Sequence, residues 1–148
     1  MKKKLALEGI IALLILLYLY TGLTQLLAYK FFHGNIYNQP IFQWSKPILV
    51  YLIPGAQLVI AAGLLFEKTR KLALWSSLGL LTIFTVYIIL IIMNALARVP
   101  CTCGGVISSF TWPQHLMFNI FFMILNAVAL VLRKKSFDDN ERAQVVAY

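Results

Sequence analysis

Four long apolar stretches alternate with short polar segments along the chain. They cover residues 5–28, 47–66, 72–97 and 115–132. Each stretch is close to or above the ~20 residues that a helix needs to cross a bilayer. The short polar turn at residues 67–71 makes the second and third stretches antiparallel neighbours. The pattern therefore predicts an all-α integral membrane protein, with four transmembrane helices in an up-down-up-down bundle.

The composition supports a membrane protein and leaves no room for a separate soluble module. Hydrophobic residues make up 61% of the 148 residues and charged residues 12%, whereas soluble domains are about half apolar and a quarter charged. We expect one membrane domain over residues 1–135 and a short cytoplasmic tail over 136–148. The first apolar stretch exceeds the ~7–15 residues of a signal peptide core, so we expect it to be retained.

The positions of the basic residues predict how the helices are oriented in the membrane. The formal net charge is +8, and most of it lies in Lys2-Lys3-Lys4, Lys68-Thr69-Arg70-Lys71 and Arg133-Lys134-Lys135, each next to an apolar stretch. Basic residues favour the cytoplasmic side, so both termini are predicted to be cytoplasmic and the other two loops to face outward. The expected location is the bacterial inner membrane. Nucleic-acid binding is not expected, because the charge forms no basic patch on a folded face.

The two cysteines stand close together in one outward-facing loop. Cys101 and Cys103 are separated by Thr102, with Pro100 before them and Gly104-Gly105 after them. In an extended chain their Cα atoms would lie roughly 7 Å apart, at the upper limit for a disulfide. Proline and glycine suit the turn that would bring them together. The pair is therefore predicted to be a catalytic thiol–disulfide site.

Other roles for the cysteines stay open at this point. A structural disulfide over so short a span would remove little loop entropy. A structural zinc site usually has four ligands, and two sulfurs plus His115 leave that set incomplete, so no metal is predicted. His115 itself would either tune a cysteine thiol or simply cap the start of the last helix.

Polar residues, together with Gly22 and Phe122, repeat at helical spacing within three of the apolar stretches. The members are Tyr18, Thr21, Gly22 and Gln25 in the first, Tyr87 and Asn94 in the third, and His115, Asn119, Phe122 and Asn126 in the fourth. Such stripes point into a bundle. They predict interhelical hydrogen bonds or a pocket, formed by Gln25, Asn94 and Asn119, for a quinone headgroup or a partner's peptide. Gln57 follows Pro54-Gly55, where we expect a break.

Two smaller features complete the prediction. Residues 29–46 contain Gly34, Asn35, Asn38 and Pro40, which are typical of turns, and their apolar residues would lie on the membrane surface or cover the bundle. Glu8 lies four residues after Lys4, a spacing that allows an ion pair. We find no pattern typical of a hydrolase.

The cysteine loop carries a family resemblance. With four spans, Cys101-Thr102-Cys103-Gly104-Gly105 between the last two, and Trp112 at the start of the fourth, the chain resembles the MauE/DoxX-like family of redox-associated membrane proteins. Members often have Cys-Gly-Cys-Phe-Gly at this place, so Cys101, Cys103 and Gly105 match, whereas Thr102 and Gly104 differ. The resemblance covers the four-helix core.

The resemblance implies a role in forming disulfides in, or maturing, a periplasmic enzyme subunit. It also implies a plan similar to four-helix oxidoreductases that pass electrons from thiols to quinone, which makes quinone a possible cofactor. Those enzymes have a second cysteine pair that this chain lacks. The expected partners are therefore the lipid bilayer and an extracytoplasmic thioredoxin-like protein, a client with cysteines, or other membrane subunits. The alternative is a non-catalytic structural or assembly subunit of a membrane complex.

Overall fold

The computed structural model describes residues 2–39, 41–93 and 111–146, and most of these residues are helical. The helices are α1 (Lys2–Leu27), α2 (Tyr29–Tyr37), α3 (Lys46–Leu65), α4 (Arg70–Ile92) and α5 (Trp112–Val146), with a short 3-10 helix at Gln43–Ser45. These residues contain no strand. The all-α fold predicted from the sequence is confirmed.

The four long helices pack in a ring in the order α1, α3, α4, α5 and back to α1. The segments Lys4–Leu27, Gln43–Leu65, Arg70–Ile92 and Pro113–Lys135 are long and apolar enough to cross a membrane. They agree with the predicted spans within a few residues, although residues 94–97 of the third lie outside the described part of the chain. Large apolar side chains cover the outside of the bundle, as expected for a surface that contacts lipid.

One end of the bundle, which we call the basic end, includes the start of α1, the turn between α3 and α4, and Arg133 near the end of the last span. Arg70 donates from Nη1 to Glu8 Oε1 over 2.8 Å and from Nε to the Leu64 carbonyl over 3.2 Å. Arg133 approaches the Glu67 carbonyl. Glu8 is therefore partnered by Arg70 of α4, whereas sequence position suggested Lys4. Helix packing, which local spacing does not reveal, sets this partner.

The half of the bundle nearer the basic end is solidly packed. Its core consists mainly of small and branched apolar side chains contributed by all four long helices, including Leu7, Ile11, Leu14, Ala61, Leu64, Leu74 and Ala129. A Cβ atom added at Gly63 would lie 3.0 Å from the Cβ of Ala73. Small residues thus let α3 and α4 approach closely, as in many membrane bundles.

The other end, which we call the α2 end, differs from the sequence prediction. Residues 29–37 form α2 although Gly34 and Asn35 suggested a turn. Ala28, at φ −95° and ψ 41°, separates α1 from α2 and redirects the chain. Phe32 and Asn35 are buried against the bundle, and this packing overrides the weak helix propensity of glycine. Both predicted arrangements occur in this segment. Phe32, Ile36 and Ile41 cover the bundle, whereas Phe31 and Phe42 are exposed.

Two further features of the helices differ from the sequence predictions. No break occurs at Pro54, because α3 continues through it to Leu65. Proline lacks an N–H group, so this helix loses one backbone hydrogen bond at that point, which neighbouring helices in a membrane bundle tolerate. At the other end of the chain, α5 continues beyond the fourth span to Val146, so most of the predicted tail is helical.

Candidate functional site

A cavity of about 320 Å³ lies at the α2 end of the bundle. All five α-helices contribute to its walls. We call it the amide cavity because five carboxamide side chains lie among its lining residues, those of Gln25, Asn35, Gln39, Gln57 and Asn119. Its remaining walls are mostly apolar and include Leu17, Phe32, Ile53, Phe84 and Phe118. A largely apolar pocket with a few convergent polar groups is typical of a small-molecule site.

Four of these amides, those other than Gln39, each have a buried polar atom without a hydrogen-bond partner. The atoms are Oε1 of Gln25, Nδ2 of Asn35, Oε1 of Gln57 and Nδ2 of Asn119. The first three residues are only 8%, 7% and 4% exposed. An unpaired buried polar group costs about 1–3 kcal/mol, so the fold carries a cost at each of these atoms.

The first turns of α5 place His115 and Asn119 on the cavity wall. Thr111 and Gln114 form part of a capping box, in which Gln114 Oε1 accepts a hydrogen bond from the Thr111 N–H over 2.9 Å. The His115 N–H bonds to the Thr111 carbonyl over 3.0 Å. Because His115 and Asn119 are four residues apart, a helix that starts here presents both side chains on one face.

Helix α2 and the segment after it cover the cavity. The hydroxyl of Tyr87 donates to Gln39 Oε1, which joins the segment to α4. Lys46, at the start of α3, is buried and donates from Nζ to the Tyr37 carbonyl over 2.9 Å, at the end of α2. The cover is therefore attached to two of the helices beneath it.

An aromatic row lies on the outer side of α2. The rings of His33 and Tyr37 stack with centroids 4.1 Å apart, and the hydroxyls of Tyr29 and Tyr51 lie 2.9 Å apart. This hydrogen bond raises the pKa of Tyr29 above its ordinary value. The row therefore contributes contact between α2 and α3.

A buried hydrogen-bond network forms the floor of the cavity. Ser77 Oγ lies 2.7 Å from the hydroxyl of Tyr18 and accepts a bond of 2.6 Å from Asn126 Nδ2. It thereby connects α1, α4 and α5. Tyr18 also lines the cavity, so the network separates the open α2 end from the packed basic end.

The predicted site residues divide into two groups. Gln25, Asn119 and His115 all line the amide cavity, while Cys101, Cys103 and Asn94 lie outside the described residues. The segment that contains the cysteines leaves α4 after Ile92 and returns at Trp112, and both positions are at the α2 end. Within the described residues, no group of three or more His, Cys, Asp or Glu side chains is placed to hold a metal ion.

The comparison with known families agrees with this architecture. The chain matches the family described as methylamine utilisation protein MauE over residues 3–132. The match covers 130 of the 148 residues, and it includes the four predicted spans and the cysteine pair. This chain belongs to the MauE family. Comparisons of this MauE family member with curated proteins and with solved structures give no significant match.

Sequence reasoning missed two polar residues of the MauE family member's cavity. The sequence pattern predicts a turn at Asn35 and indicates no role for Gln39, yet both line the cavity. Phe32, Ile36 and Gln39 follow one another at spacings of four and three residues, which is a helical pattern. Gly34, Asn38 and Pro40 are typical of turns, so they make this helical pattern hard to recognise.

Proposed function

We propose that this protein is a thiol–disulfide redox protein of the bacterial inner membrane, and that Cys101 and Cys103 exchange with the cysteines of an extracytoplasmic partner. The observation that carries the proposal is the position of the cysteine segment in the chain. It connects α4 and α5 at the end of the bundle where the amide cavity lies. A redox pair in this segment would be attached at the end of the bundle that contains the amide cavity.

Three features support the proposal. The pair is two residues apart with glycines following, which suits a reactive rather than a stabilising disulfide. The basic clusters predict that the α2 end faces outward, where disulfides persist. Membership of the MauE family, described as methylamine utilisation proteins, supports an accessory role for a partner in that process.

The exchange proceeds in two balanced steps. A thiolate of the partner attacks the Cys101–Cys103 disulfide, forms a mixed disulfide and releases one cysteine of the pair as a thiolate. The partner's second thiolate then attacks the mixed disulfide and releases the other cysteine. The partner gains a disulfide, and two electrons remain on the reduced pair.

Trapping the mixed disulfide tests the proposal. The variants Cys101→Ser and Cys103→Ser are expressed separately, the cells are quenched in acid, free thiols are alkylated, and cross-linked partners are identified by mass spectrometry. We expect at least one single variant to retain a partner that reductant releases. The matched control is the double variant, which has no sulfur in the segment and should trap nothing.

The opposite outcome favours a non-catalytic subunit. If both single variants support full function in cells and no mixed disulfide is found, the cysteines do not perform exchange. A stoichiometric membrane complex that survives loss of both sulfurs would then identify the protein as an assembly subunit.

A further inference from the structure

We propose that the amide cavity holds the acyl chain of a membrane phospholipid, which enters from the middle of the bilayer through a groove between α3 and α4. Binding of the chain is independent of the proposed redox function, because it uses neither cysteine. Three features carry it: the chemistry of the cavity wall, the connection of the cavity to the outside of the bundle, and the depth of that connection in the membrane.

The wall of the cavity offers little to a polar ligand. Among the described residues that line it, none carries a carboxylate, an ammonium or a guanidinium group. The hydroxyls of Tyr18, Thr21 and Tyr87 form hydrogen bonds within the protein. The unpaired atoms of the four amides are buried and closed off from the cavity. Carbon therefore makes up most of the surface that a bound molecule would contact.

Water is poorly suited to fill such a cavity. A buried water molecule usually makes about 2–4 hydrogen bonds, and this wall leaves few polar atoms to form them. Cavities lined by apolar side chains stay dry and take up apolar molecules. An empty space of about 320 Å³ is also unfavourable, because the side chains around it lose packing contacts. A hydrocarbon ligand restores these contacts without needing hydrogen bonds.

A groove between α3 and α4 connects the cavity to the outside of the bundle. The two helices approach closely near the basic end, where a Cβ atom added at Gly63 would lie 3.0 Å from the Cβ of Ala73. Farther along α4, a Cβ atom added at Gly79 would have nothing within 4 Å. The groove at this level is lined by Ala56, Val59, Ile60, Ser76, Gly79, Leu80 and Ile83. Ile83 also lines the amide cavity and is 65% exposed, so the groove and the cavity meet at this residue.

The depth of the groove determines which molecules can enter it. Its residues belong to the middle parts of α3 and α4, and therefore lie near the middle of the predicted spans. The hydrocarbon core of a bilayer is about 30 Å thick, so the surroundings at this depth are acyl chains. A lipid headgroup or a soluble ligand would have to cross part of that core to reach the groove.

Photochemical labelling by a phospholipid tests where its chain lies. The full-length protein is reconstituted into phosphatidylcholine vesicles, in which some of the lipid has a diazirine near the methyl end of one chain. After illumination, the adducts are located by mass spectrometry. We expect adducts on Leu81 and Ile88, which line the cavity and are only 3% and 7% exposed. Leu14 and Leu64, which are fully buried in the packed half of the bundle, are internal controls and should carry none.

A variant that fills the groove distinguishes a chain inside the cavity from lipid that only surrounds the bundle. Gly79→Leu places an apolar side chain in the open space of the groove. The adducts on Leu81 and Ile88 should be lost, whereas adducts on Val131, which is 66% exposed, should remain. Gly55→Leu is the matched control and should keep all adducts, because Gly55 also has open space around it but lines neither the groove nor the cavity.

Both glycine variants should unfold at or above the temperature of the unaltered protein, because leucine is a better helix former than glycine. If Gly79→Leu does not fold, labelling of the unaltered protein alone decides. Adducts that occur only on exposed residues would overturn the proposal, because the lipid would then surround the bundle without entering it. Unchanged adducts on Leu81 and Ile88 in folded Gly79→Leu would also overturn it, because the chain would not pass through the groove.

Discussion

Arg70, in the first turn of α4, donates a hydrogen bond from Nη1 to the carboxylate of Glu8 in α1 over 2.8 Å. The Arg70 side chain is 11% exposed and that of Glu8 is 43% exposed. Arg70 also bonds to the Leu64 carbonyl at the end of α3. One side chain therefore connects three helices at the basic end.

Removing Arg70 should destabilise the bundle. Arg70→Leu loses both hydrogen bonds, and bonds that involve a charged group contribute about 1.5–3 kcal/mol each. We expect a loss of at least that size, measured as the free energy of unfolding in detergent. Glu8→Gln should lose less, because the amide oxygen still accepts a bond. Lys71→Leu, at an exposed neighbour, is the control, and an equal loss in Arg70→Leu and Lys71→Leu would contradict the prediction.

Ser77 should be more important for stability than its size suggests. Ser77→Ala leaves the hydroxyl of Tyr18 and the amide of Asn126 without their shared partner. We expect a loss of about 1–3 kcal/mol in the free energy of unfolding. Ser76→Ala changes the adjacent exposed serine and should have little effect. The network contributes nothing to stability if the two variants unfold at the same denaturant concentration.

Substitutions at two glycines of α3, Gly55 and Gly63, test whether α3 packs closely against α4. The Cβ of Gly63→Ala would meet the Cβ of Ala73 at 3.0 Å, whereas nothing lies within 4 Å of a Cβ at Gly55. Overpacking of this kind costs about 1–3 kcal/mol, so Gly63→Ala should lower the unfolding temperature. Gly55→Ala should leave it unchanged or raise it, because alanine is the better helix former. The reverse order would show that the helices are further apart than described.

Lys46 should help to hold α2 in place over the amide cavity. Lys46→Met removes the 2.9 Å bond to the Tyr37 carbonyl, so α2 should open more often. Faster hydrogen exchange of the α2 backbone amides, with little change in the first half of α4, is the expected result. Lys30→Met alters an exposed lysine of α2 itself and serves as the control. Unchanged exchange in Lys46→Met would mean that other contacts hold α2 in place.

The helical core was predictable because each helix that crosses a membrane needs a long, continuous stretch of apolar residues. Spans of about 20 apolar residues are visible without knowledge of packing, and the stripe of Gln25 with Thr21 and Tyr18 identified the inward face of α1. Local signals failed where tertiary contacts decide the outcome. Gly34 predicted a turn, but burial of Phe32 and Asn35 favours a helix. Lys4 was the nearest cation to Glu8 in sequence, but Arg70 is its partner in space.

The site was predictable in part for the same reasons. Gln25, His115 and Asn119 were selected as polar residues on helical faces, and all three line the cavity. Asn35 and Gln39 were not selected for a pocket, because their place in it depends on how α2 folds back over the bundle. Spacing along one helix predicts a face, but it does not reveal which residues of another segment meet that face.

Labelling of Cys101 and Cys103 tests most directly whether they form a redox-active pair on the outer side of the membrane. Intact cells or spheroplasts are labelled with a membrane-impermeant maleimide, with and without prior treatment by an impermeant reductant, and the mass of the cysteine peptide is measured by mass spectrometry. We expect two adducts after reduction and fewer before it. Labelling that requires permeabilised membranes, or that is complete without reductant, would contradict the proposed redox function.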